Sequence, residues 1–115
     1  MHQGQEPNWQ PISMLPTIAY MVEEAVEGSA DMLASLQEAL RRTNVLTAED
    51  LERVLCQFTE ARFYVGVYDQ QLSRWEKSDP DEDELEEIER LQELLPIARK
   101  QIDDLLECAR KLKKQ

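Results

Sequence analysis

The sequence predicts an all-α protein, an antiparallel up-down-up bundle of three long helices that dimerises into a larger helical bundle. Two observations carry the bundle. Apolar residues recur alternately three and four apart in three separate stretches, which is heptad coiled-coil spacing. The chain of 115 residues is also 32% charged with only three glycines, a composition typical of long helices. A third observation points to association: the middle stretch is apolar on more than its seam, and such a helix is a buried one.

Residues 1–12 read as a flexible N-terminal tail. Gly4, Pro7 and Pro11 interrupt any helix and the polar residues show no period. Trp9 and Ile12 are the side chains able to pin it. Residues 13–115 form the single bundle domain, since a chain this short holds one modest core. The first helix is expected over about 14–42, with Ser13 as N-cap and Pro16 in the first turn, where its missing N–H costs nothing. Its seam is Leu15, Ile18, Val22, Ala25, Ser29, Met32, Leu36 and Ala39, widened by Ala19, Val26, Leu33 and Leu40. Gly28, Ser29 and Ala30 together suggest the close approach of another backbone. Arg41 and Arg42 suit the negative end of the helix dipole.

Thr43 to Leu46 is a short turn, with Asn44 the expected stop. The second helix spans about 48–77, opened by Thr47 with Asp50 in a capping-box spacing. Its seam is Leu51, Val54, Phe58, Ala61, Val65, Tyr68, Leu72 and Trp75. Leu55, Cys56, Phe63, Tyr64 and Val67 lie off that seam. They place this helix at the centre of the assembly and form the expected interface with a second copy, because a lone three-helix bundle would leave them in water.

The third helix spans about 80–113. Asp79 is the expected N-cap, Pro80 the first helical residue and Glu82 the partner of the box. Its seam is Ile88, Leu91, Leu95, Ala98, Ile102, Leu105, Ala109 and Leu112, and it keeps phase through Pro96, which predicts a kink there. Arg110, Lys111, Lys113 and Lys114 close it with favourable charge. Each seam covers 25 residues, roughly 36 Å of helix.

Charge and missing residues narrow the function. A net charge of −11 repels phosphate backbones and anionic lipid, so no nucleic acid and no membrane surface is expected as partner, and a basic protein is the complementary one. No apolar run reaches the ~18 residues of a membrane span, and Met1 to Gln10 lacks a signal-peptide pattern. Cys56 and Cys108 fit no metal or redox spacing and read as reduced, unpaired thiols in a cytoplasmic protein. His2 is the one histidine and lies in the tail. Glu-x-x-His di-iron sites, Ser-His pairs and Cys-His pairs are therefore not expected.

Two acidic clusters remain. Asp79 to Glu89 holds eight carboxylates in eleven residues. It fits no EF-hand and reads as an acid-rich helix start followed by a solvated face. Glu23, Glu24, Glu27 and Asp31 form the second, with Glu23, Glu27 and Asp31 one turn apart on one face, a set able to hold Mg²⁺. Glu23-Glu24-x-x-Glu27 resembles the Glu-Glu-x-x-Glu half of the metal motif of all-α nucleoside triphosphate pyrophosphatases. That resemblance implies a Mg²⁺-dependent hydrolase in which the metal polarises phosphate and activates water. The second half of the motif, Glu-x-x-Asp, is present only as Glu76 to Asp79, at a helix end. The first expectation is thus a non-enzymatic interaction or structural protein, a homodimer associating through its middle helix. The hydrolase is the alternative. Arg62, the one charge near the middle of that helix, is expected to pair with Glu60 or with a carboxylate of a second chain.

Overall fold

The computed structural model describes residues 9–42 and 46–114. A single 3₁₀ turn, Ile12–Met14, leads into α1 (Leu15–Arg41), followed by α2 (Ala48–Glu76) and α3 (Glu82–Lys113). No strand occurs among the described residues. Expectations that rest on His2, Gly4, Pro7, Thr43 and Asn44 lie outside the described residues.

Local chemistry sets the helix starts. Ser13 sits inside the 3₁₀ turn instead of capping α1; the N-cap is Met14, with no side-chain hydrogen bond, and Pro16 stands in the first turn. Proline's fixed φ and missing donor suit that position. The box at α2 forms as expected: the Asp50 N–H donates to Thr47 Oγ1 and the Thr47 N–H donates to Asp50 Oδ2, both at 3.0 Å. The cap of α3 is Asp81 and not Asp79. The Glu84 N–H donates to Asp81 Oδ1 at 2.8 Å, and the Asp81 N–H donates to Glu84 Oε1 at 2.9 Å. Asp79 has φ of 59°, a left-handed conformation that aspartate tolerates better than most residues. It turns the chain out of α2, and Pro80 becomes part of the connection. α3 is one helix through Pro96, whose ring is exposed while Leu95 and Ala98 beside it are buried.

α3, and not α2, is the central helix. Both α1 and α2 pack along it, and they touch one another sparsely. Its seam explains why. Ile88, Leu91, Leu95, Ala98, Ile102, Leu105 and Ala109 are all essentially inaccessible, so neighbours cover them from both sides. In α1 and α2 the seam alternates until its last residue, Ala39 or Trp75, which is buried as well. Val22, Ser29 and Leu36, like Leu51, Phe58, Val65 and Leu72, are buried, whereas Ile18, Ala25 and Met32, like Val54, Ala61 and Tyr68, are only partly buried. A helix with one full neighbour covers one half of a heptad seam; a helix with two covers both.

Cross-helix pairs give the directions. Glu23 meets Arg90 and Ser29 meets Gln101, so α1 runs parallel to α3. Glu52 meets Lys113, Arg62 meets Asp103, Asp69 meets Arg99 and Glu76 meets Gln92, so α2 runs antiparallel to α3. Arg62 therefore pairs with Asp103 of α3 at 2.8 Å instead of Glu60 of its own helix. Ser29 is buried among these contacts, its hydroxyl 2.6 Å from the Ala25 carbonyl and 2.7 Å from Gln101 Oε1. Gly28 beside it does not mark a close approach, because a Cβ built there meets nothing within 4 Å.

Candidate interaction surface

The packing of α2 on α3 leaves a stripe of α2 facing away from the core. Phe63 is 61% exposed and Tyr64 45%, and Cys56 is exposed near them. The rings are organised. Phe63 meets Tyr64 edge-on at 5.4 Å between centroids, and Tyr64 stacks on Tyr68 at 6.3 Å. Both are favoured arrangements of aromatic quadrupoles. Tyr68 forms the inner end of this ladder, where burial and then the neighbouring Tyr64 push its phenol above the usual tyrosine range. The other two residues expected in this stripe are less accessible. Leu55 packs against the core and Val67 is partly buried.

A trough lies beside this ledge, between α1 and α2. The partly buried seam residues Met32 of α1 and Val54 of α2 line it together. At the end nearest the α1–α2 connection the trough opens into a groove of about 590 Å³, lined by Met32, Leu36, Leu46 and Val54 among others. Its rim charges are satisfied locally: Glu38 pairs with Arg41 and Arg42, and Arg53 with Glu49 and Asp50. At the opposite end the start of the described chain lies on α2. The Gln10 N–H donates to Gln71 Oε1 at 2.7 Å, the Trp75 indole N–H donates to the Gln10 carbonyl at 2.9 Å, and the Arg74 guanidinium lies 4.1 Å from the centre of the Trp9 ring. This clasp buries Gln71 to 3% exposure, an unusual state for a glutamine that its hydrogen bond explains. The apolar Trp9 in a polar stretch was its one signal in the sequence.

The carboxylates of α1 do not converge. Glu23 accepts a hydrogen bond from Arg90 at 2.8 Å, while Glu24, Glu27 and Asp31 are exposed. Among the described residues no group of three or more His, Cys, Asp or Glu side chains is placed to hold a metal ion. Arg90 bridges helices here. It also donates to Glu87, which holds the Glu87 carboxyl below the usual glutamate range, and the two acceptors, Glu87 first and Glu23 second, raise the pKa of Arg90 itself. The acidic run at the start of α3 is thus used for capping and for this bridge. Of the Glu76–Asp79 pair, Glu76 accepts from Gln92 and Asp79 makes the turn. Cys56 and Cys108 are both free; Cys108 is buried, which pushes its thiol upward.

Among the described residues no helix is long and apolar enough to cross a membrane. Comparison with protein-family models, with curated proteins and with solved structures finds no match to this chain.

Proposed function

We propose that this chain is a non-catalytic helical interaction protein that self-associates through the outward face of α2. One observation carries the reading: Phe63 and Tyr64 stand in water on a helix whose other side already has a full core contact. An ordered aromatic ledge of that kind marks a contact surface, and aromatic residues are enriched in such surfaces. Charge favours a second copy on this face. Two chains of net charge −11 repel one another, and they approach most easily where charged side chains are sparse. Between Cys56 and Gln70 the outward stripe carries Glu60 as its single charge.

The test is solution mass by light scattering across a concentration series, for the natural chain and for Phe63→Glu. A dimer that Phe63→Glu converts to monomer, with helical circular dichroism unchanged, is the expected result. A natural chain that stays monomeric over the whole series overturns the reading.

A further inference from the structure

Ion pairing along α2 points to how the second copy sits. The helix carries nine charged side chains, and seven have partners. Glu49 and Asp50 pair with Arg53, Glu52 with Lys113, Arg62 with Asp103 and Asp69 with Arg99, while Glu76 accepts from Gln92. Glu60 and Arg74 alone lack an ion pair or a side-chain hydrogen bond among the described residues. Both are exposed and of opposite sign, and each lies seven residues from Val67 on the same stripe. Residues seven apart share a helix face, so an acid and a base stand about 21 Å apart at the α-helical rise, with Val67 midway and Phe63 and Tyr64 beside it.

We infer that two copies pair α2 against α2 antiparallel, about a two-fold axis at Val67. This rests on the proposed self-association and adds its register. The axis brings Glu60 of each copy opposite Arg74 of the other, so both unpaired charges find partners, twice. It sets Val67 against its own copy and brings the exposed Phe63 and Tyr64 beside the exposed Gln70 of the partner, with no further charge on the stripe in between. A parallel pairing fails on the same residues, since it sets Glu60 against Glu60 and Arg74 against Arg74. Sliding the antiparallel register by one heptad sets Glu60 against Val67 in one direction and carries it past the end of α2 in the other. Arg74 is prepared for the contact. Stacking on Trp9 uses the face of the guanidinium and leaves its in-plane N–H groups for a carboxylate.

Charge reversal tests the register, with dissociation constants read from sedimentation or light scattering. Glu60→Arg and Arg74→Glu each replace two attractions by two repulsions, and each weakens dimerisation by about tenfold or more. The double variant Glu60→Arg/Arg74→Glu restores opposite signs and returns to within about threefold of the natural chain. A second measurement is independent of charge: Val67→Cys, in a Cys56→Ser/Cys108→Ser background, forms a disulfide-linked dimer on mild oxidation, because an axis at this position brings the two thiols together. A dimeric natural chain whose single reversals change nothing, or whose double variant is weaker than either single, overturns the register and leaves self-association standing. A monomeric natural chain overturns both.

Discussion

Replacing one isoleucine at a time separates a core organised on α3 from a symmetrical three-helix core. Ile18 of α1 and Ile102 of α3 are both seam isoleucines, in opposite halves of the heptad. In the structure Ile102 has no accessible surface, while Ile18 is partly exposed. Truncation to alanine removes three carbons, worth about 2.4 kcal/mol of transfer free energy at ~0.8 kcal/mol each. At Ile102 neighbours on both sides hold the space open, and the cavity left behind raises the loss to about 3–4 kcal/mol. At Ile18 part of the side chain already meets water and the vacated space opens to solvent, so the loss is about 1 kcal/mol. For a domain stable by about 5–15 kcal/mol the first change is severe and the second mild. The assay is urea unfolding followed by helical circular dichroism, with both substitutions placed in the Phe63→Glu background so that association does not enter. Equal losses at the two positions would refute the reasoning, because they would mean that α1 and α2 close on each other as tightly as each closes on α3.

Three further outcomes can be checked in the same background. Thr47→Ala removes one half of the capping box of α2 and lowers stability by about 1 kcal/mol. The partner carboxyl supplies a pH signature. The Thr47 N–H, and then the Thr47 hydroxyl, hold Asp50 below its usual pKa. A depressed carboxyl contributes stability that is present above its unfolded value near ~3.9 and is lost as pH falls through the folded one. The stability gap between the parent and Asp50→Ala therefore narrows between neutral pH and pH ~3, and a gap independent of pH would disprove the contribution. Thiol labelling checks the placement of the cysteines: exposed Cys56 reacts fast, buried Cys108 with its raised pKa reacts slowly, and Cys56→Ser abolishes the fast phase. Two fast thiols in the parent would show that α1 does not pack over Cys108 of α3.

Much of this architecture was written locally. Heptad spacing set three helices and their inward faces, because a 3.6-residue period leaves an apolar side chain little choice of direction. Thr47 and Asp50 declared the start of α2 by hydrogen bonds within one turn. The acidic run announced a start for α3 but offered competing caps, and Asp79 was spent on the left-handed turn that ends the preceding helix. Phe63 and Tyr64 were legible as an outward apolar stripe, since they sit far around the helix from Phe58 and Val65. The carboxylates of α1 were legible as a shared face; their failure to converge was not, because Arg90, which takes Glu23, is 67 residues away.

What the sequence by itself determined is therefore the set of helices, their facing residues and the aromatic ledge, all consequences of backbone geometry acting over a few residues. Only the tertiary structure decided which helix lies at the centre. Three seams of the same length are interchangeable until side-chain volumes are packed, and the Ile, Leu and Ala seam of α3 then receives both neighbours. The same packing decided which charges find partners, because ion pairs such as Arg62–Asp103 and Glu52–Lys113 join residues 41 and 61 positions apart. No local rule could single out Glu60 and Arg74, since an unpaired charge is defined by what every other helix brings near it.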